Sequence, residues 1–463
     1  MDSNATFFTR DRNFYKNLFR MLIIVSLQNV IAYSVNMADN MMLGAYSQDA
    51  LAGAATVNQI YFLVQQISLA LGDSLIVLSS QYWGEKRVAP IRSVMKEAFK
   101  WSAIIGIPIF AVISIFPVQI LELFTKDAAI ISEGAAYLSI VRWSFLLFMI
   151  TNILIFALRS VGTVRIAFYM ASISLVINVG INYLLIFGKG NMPEMGVRGA
   201  AIGTCIARGI ELSVVLFYLI FVDRKLQVRK KVRISSEKEL KKDEILHVKK
   251  NYNKIFIAVF FSQILWAVSV PMQTAILGHL SSNAIAANSV ATTFYQYLKV
   301  VVVALSSVSS VMIGISIGTG NMARVKSDAR TLQVLDVMIG LVLGVLLFIS
   351  RGFILSFYSL NSEAMILADQ LMVIMAFIMV GMSYQMPVSM GIIRGGGDAK
   401  FTLIMNLISV WGIVMPLSFL TAFYWHMPIA IVVIALQSDQ IFKCIPTSLR
   451  VRTYKWVTVL TKK

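Results

Sequence analysis

Apolar runs of membrane-crossing length recur along this chain, and their number constrains its fold more than any other feature. They fall near residues 20–43, 52–80, 99–118, 134–157, 164–187 and 198–222. After a charged interval they resume near 255–278, 285–317, 332–357, 365–392, 401–423 and 428–449. About 20 apolar residues cross the hydrocarbon core as a helix. Backbone amides find no water there, so an open sheet is excluded and helices are required. The sequence therefore predicts an all-α integral membrane protein of twelve transmembrane helices. Composition agrees, with 58% of residues hydrophobic and 14% charged, against about half and about a quarter in soluble domains. Arg10, Arg12, Lys16 and Arg20 precede the first run as they would in a secretory signal. That run extends to Leu43, carries Gln28, Asn29, Asn36 and Asp39 and shows no small-residue cleavage site, so it reads as a retained first span.

The net charge is +18, which in a soluble protein would raise nucleic-acid binding. Here the basic residues sit between apolar runs and report topology instead. Loops after spans one, seven and eleven carry no Lys or Arg. Those after spans two, four, eight and ten carry Lys86, Arg87 and Arg92; Arg159 and Arg165; Arg324, Lys326 and Arg330; and Arg394 and Lys400. The carboxyl tail adds Arg450, Arg452, Lys455, Lys462 and Lys463. The positive-inside rule places both termini in the cytoplasm of a multi-pass protein of the plasma (inner) membrane. The interval Asp223–Lys254 holds twelve Lys/Arg and five Asp/Glu. It reads as a solvated basic cytoplasmic linker, with a short helix on anionic lipid as the other reading. Cys205 and Cys444 are the two cysteines, too far apart for a disulfide framework, and His247, His279 and His426 form no ligand pattern. No cofactor, no metal beyond Na⁺ and no nucleic-acid partner is expected.

The chain repeats itself. Asp39–Ser47 (DNMMLGAYS) aligns with Gln273–Ser281 (QTAILGHLS), setting Gly44 over Gly278 at an offset of 234 residues. At that offset Gly84 meets Gly318 and Ser93 meets Ser327. One residue later, Leu158–Arg165 (LRSVGTVR) lies over Ile393–Lys400 (IRGGGDAK). This is a duplicated six-helix unit: an N-lobe over 1–222, the linker 223–254, and a C-lobe over 255–463. Six is even, so both copies insert the same way round, related by a pseudo-twofold axis along the membrane normal. Two facing lobes suit alternating access. The chain has no G-x-x-x-x-G-K-[ST] phosphate loop, no H-E-x-x-H and no G-x-S-x-G. It therefore reads as no enzyme and no ATP-driven pump, and an ion gradient must drive it.

Polar residues inside the spans mark candidate sites, because an ionised Asp at a helix centre costs about 2.5–3.5 kcal/mol on insertion scales. Asp39 lies five residues before Gly44, roughly 7–8 Å inside the outer end of span one. Asn178 and Asn182 share one face of span five, and Thr204 enters span six to a similar depth. The four offer oxygens to a proton or Na⁺; the competing reading leaves each bonded to its own helix backbone. Their equivalents in the second copy include Gln273, Ile413 and Leu417, so the fold does not require these polar groups. Asp73, Gln263, Gln273, Asn288, Tyr295, Asp336 and Gln385 are candidates for a substrate cavity. Arg208 and Glu211, three apart, are expected to pair structurally.

The stretches VNMADNMMLGAYSQDALAGAA, QYWGEKR, LRSVGTVRIAFYMASISLVINVGINYLLIFG, MGVRGAAIGT and IIRGGGDAKF together resemble the multidrug and toxic compound extrusion (MATE) family, nearer its DinF-like branch. The resemblance implies a two-lobed antiporter that exports organic, often cationic, compounds in exchange for H⁺ or Na⁺. It also implies a cation site at Asp39, Asn178 and Thr204, with Asn182 where many relatives carry Asp. A second-lobe carboxylate in span seven or ten, as in the NorM-like branch, is absent from Phe260–Val270 and Ile378–Gln385. Small-molecule substrates and the bilayer are the expected partners, and the expected state is a monomer. The alternatives are a lipid-linked saccharide flippase of the same superfamily, a major-facilitator transporter (Gly84-Glu85-Lys86-Arg87 faintly fits its second loop) and a non-transporting receptor or scaffold.

Overall fold

Long apolar stretches propagate as single helices, even through Pro108 and Pro271, and in the computed structural model they do so past the hydrophobic limits. The structure describes residues 7–228, 240–280, 282–358 and 360–462, apart from the side chain of Ser282. The first half contains α1 (Arg12–Tyr46), α2 (Gln48–Gly84), α3 (Ala89–Ile115), the short α4 (Pro117–Leu121), α5 (Ala128–Ser160), α6 (Arg165–Ile186) and α7 (Val197–Phe217). The second contains α8 (Lys242–Gly278), α9 (Ser282–Gly318), α10 (Met322–Leu355) and α11 (Ser362–Met386). It ends with α12 (Ala399–Asn406), α13 (Met415–Phe419), α14 (Ile429–Leu436), α15 (Asp439–Phe442) and α16 (Cys444–Thr453). Among the described residues there is no strand.

Among the described residues, eleven continuous helices are long and apolar enough to cross a membrane, and Ile429–Leu436 with Asp439–Thr453, bent by 42°, make a twelfth span when taken together. The twelve-span expectation is met, with a broken last helix that hydropathy did not foresee. At the break, tight turns replace the regular ladder, Ser438 N–H bonding the Ala435 carbonyl and Gln440 N–H the Gln437 carbonyl. The span of α11 continues through a wider π-helical turn from Pro387 to Ile393, because Pro387 has no N–H to give the ladder. Bulky apolar side chains remain exposed along the spans, among them Val176, Ile349 and Phe377, which only a hydrocarbon surround tolerates in such numbers.

The duplication is visible in the elements. Shifted by 234 residues, the bounds of α2 coincide with those of α9, both 37 residues long. Gly162 and Gly397, matched by the repeat, both take a positive φ, +71° and +104°. Each closes the same turn, its N–H bonding the carbonyl of Arg159 or Arg394. Glycine bears this left-handed backbone without strain.

Contacts group the chain into two compact units: Ile23–Ser79 with Arg87–Tyr252, and Met1–Leu22 with Ser80–Lys86 and Asn253–Lys463. Within the latter, the Thr9 hydroxyl donates to Asp328 at 2.5 Å. Gln81 bonds the tail twice, donating to the Thr458 carbonyl (3.1 Å) and accepting from Leu460 N–H (2.9 Å). Gly84 and Gly318 touch, a Cβ on Gly84 lying 2.9 Å from the Gly318 Cα. Within the former, the described parts of the basic interval dock on the helices they follow. Lys225 Nζ donates to the Val161 carbonyl at 2.7 Å, Lys249 pairs with Glu97 at 3.3 Å and Arg87 with Glu244 at 3.1 Å. The stretch 229–239 at its centre lies outside the described residues.

Candidate cation site

In the first unit, α1, α2, α5, α6 and α7 enclose a cavity of about 60 Å³ lined by Asp39, Tyr61, Tyr137, Asn178, Thr204 and Arg208 among others. Pockets that take drug-sized ligands span roughly 300–1,000 Å³, so this space suits an ion with a few waters. Asn182 stands behind Asp39 and donates its Nδ2 to the Asp39 carboxylate at 2.5 Å and to Asn178 Oδ1 at 3.4 Å. Asn178 and Asn182 are fully buried, as their four-residue spacing on α6 requires if one face is inward. The Thr204 hydroxyl donates to the Ala200 carbonyl one turn back, at 3.0 Å, and is also hydrogen-bonded to the Tyr137 side chain.

Close helix packing makes this geometry. A Cβ on Gly199 would lie 2.7 Å from the Leu185 carbonyl, and one on Gly203 would lie 2.0 Å from Asn182 Oδ1. These two glycines, one turn apart on α7, let α6 approach, and Gly203 makes the room that Asn182 occupies. At the other side of the cavity Arg208 donates to Glu211 (2.8 Å) and to the Tyr61 hydroxyl (3.0 Å), its guanidinium 4.8 Å from the Phe148 ring centre. The Arg208–Glu211 pair thus lies in the wall of the cavity that Asp39 shares.

None of the other sequence candidates lines this cavity. Asp73 belongs to the same unit and acts electrostatically on Arg159. The rest belong to the second unit. Gln273 and Asn288 are half-buried, Gln263 is buried, Tyr295 places its hydroxyl 3.1 Å from the Met382 sulfur, and Gln385 donates to Gln440 at 2.7 Å. Asp336 is wholly buried. Sequence reasoning missed the roles of Gly203, Tyr61 and Tyr137. It also missed a buried ion pair in the bent last span, Lys443 to Asp439 at 2.9 Å, whose i,i+4 spacing within an apolar run was the available signal.

A family model described as MatE matches residues 25–184 and 258–420, more than two thirds of the chain. The chain belongs to the MatE family. Its two matched segments fall in the two halves that the internal repeat defines. The Bacillus subtilis protein named probable multidrug resistance protein YoeA is 25% identical over 422 residues, covering 90% of this chain and 88% of that one. A Thermotoga maritima protein named probable multidrug resistance protein NorM is 23% identical, covering 97% and 95%. Among solved structures, the eukaryotic MATE transporter AtDTX14 superposes with a TM-score of 0.83 at 17% identity over 97% of each chain. A multidrug resistance MATE family transporter in an outward-facing conformation gives 0.82 at 15% identity, over 96% of this chain and 98% of that one. This MatE protein therefore has the twelve-helix MATE fold and is a multi-pass membrane protein. As a member of this family it is a transporter and not an enzyme.

Proposed function

We propose that this MatE protein exports small amphipathic or cationic organic compounds across the plasma membrane in exchange for a monovalent cation, a proton or Na⁺. Asp39, Asn178, Asn182 and Thr204 form the cation site. The observation that carries this reading is the Asp39 carboxylate in an ion-sized cavity, bonded to Asn182 and accompanied by Asn178 and Thr204. The Asn182 NH₂ donates to one carboxylate oxygen of Asp39 and leaves the other for a proton, whereas Na⁺ would take that amide as a ligand only with its oxygen turned inward. Substrate contact falls to half-buried Gln273 and Asn288 before the wholly buried Asp336. The halves 1–222 and 255–463, joined by 223–254, alternate access between the two sides.

The test uses purified protein in proteoliposomes with ethidium and no nucleotide. A pH gradient or a Na⁺ gradient, imposed separately, is expected to drive ethidium movement, and the matching ionophore to stop it. Movement that requires ATP and ignores ionophores overturns the proposal. Both termini are proposed to be cytoplasmic. With Cys205 and Cys444 replaced by Ser, the exposed position of Lys455→Cys is expected to react with a membrane-impermeant thiol reagent only after cells are permeabilised. Labelling in intact cells reverses the orientation.

A further inference from the structure

Asp336 sits mid-way along α10 with no exposed surface, and neither carboxylate oxygen has a hydrogen-bond partner. Its face of the helix is turned to α11. Gln333, three residues earlier, accepts a hydrogen bond from the Tyr384 hydroxyl of α11 at 3.0 Å. Gly340, four residues later, is so close to α11 that a Cβ there would lie 2.6 Å from Ser383 Cβ. Ser383 is itself wholly buried, and its hydroxyl also lacks a partner. The acid therefore lies in a closed seam between two helices, with two unmet polar groups, Asp336 and Ser383, on its opposite walls.

An uncompensated buried carboxylate is strongly disfavoured in so closed a place. Among the described charged groups, none acts on Asp336. Tyr384 is the titratable side chain within its electrostatic reach, and Tyr384 in turn feels Cys444 and Arg452 of α16. The neutral acid is the form that the closed seam tolerates. We infer that Asp336 is a second proton-binding site, which keeps its proton while α10 and α11 are closed over it and exchanges that proton with water when the seam opens. No covalent bond changes; the proton passes between Asp336 and water. Proton occupancy of the site stands by itself, whereas its contribution to transport rests on the antiport reading above.

The experiment is infrared difference spectroscopy of reconstituted protein, read at the carbonyl stretch of protonated carboxyl groups, in an Asp39→Asn background that removes the first site. At neutral pH a protonated-carboxyl band is expected. It should vanish in Asp336→Asn and persist at a shifted position in Asp336→Glu, which keeps the acid if the amide variant folds poorly. Spectra of the parent background and both variants that coincide in this region mean that Asp336 is ionised, and they overturn the site. In the otherwise native protein, Asp336→Asn should lower the exponent of proton-driven efflux on proton concentration by about one. An unchanged exponent together with the lost band overturns the transport role while leaving proton binding intact. Loss of all gradient dependence in the native protein would instead count against the antiport reading.

Discussion

Asp39→Asn is expected to insert and fold as the parent does and to lose ion-coupled efflux. The substitution keeps the shape of the side chain and an oxygen that can accept from Asn182, now 2.5 Å from the carboxylate. It removes the only charge that a proton or Na⁺ neutralises among the four proposed ligands. Insertion should not suffer, because an ionised Asp at a helix centre costs about 2.5–3.5 kcal/mol and the amide less. The coupling free energy between ion and substrate should disappear, a loss of roughly 5–150-fold in the effect of the gradient. Asn178→Ala and Thr204→Ala each remove one neutral ligand and should weaken coupling by less. The measurement is gradient-driven ethidium efflux from proteoliposomes, beside substrate binding in detergent, which is expected to survive. Parent-like gradient-driven efflux by well-folded Asp39→Asn protein would move the coupling site elsewhere.

Gly203→Ala and Gly199→Ala should fail in different ways although they lie one turn apart on α7. At Gly203 the added methyl meets Asn182 Oδ1 at 2.0 Å. That atom is the tip of a side chain and can rotate away. The protein should fold with a modest loss, but Asn182 must leave Asp39 and Asn178, so coupling should fall while expression and elution profile hold. At Gly199 the methyl meets the backbone of Leu185, 2.7 Å away at both carbonyl carbon and oxygen, which cannot yield without moving α6 as a whole. Overpacking of this kind costs about 1–3 kcal/mol, and here it acts on a helix pair rather than on one side chain. Reduced yield and thermal stability are therefore expected for Gly199→Ala. Equal loss of stability in both variants would remove the special role given to Gly203.

Hydropathy is summed locally over about 20 residues, so the spans, their number and the duplication could be read without any knowledge of neighbours. The same holds for Gly162 and Gly397, whose common turn is a property of a few consecutive residues. Asp39, Asn178, Asn182 and Thr204 could be singled out as candidates for a related reason, since a polar residue in lipid is costly wherever its partner lies. What the partners are depends on how each helix is rotated and how closely it approaches the next. The Asn182–Asp39 bond joins residues 143 apart in sequence, and no local pattern encodes it. Gly203 looks like any small residue in a span until α6 is seen to place an amide against it. Arg208 and Glu211 announced their pairing by spacing, but their place in the cavity wall follows from the packing of α7 beside α2, where Tyr61 lies. Asp336 shows the limit from the other side. Its sequence position marked an acid in an apolar run, while only the tertiary contact of α10 with α11 left that acid sealed and without a partner.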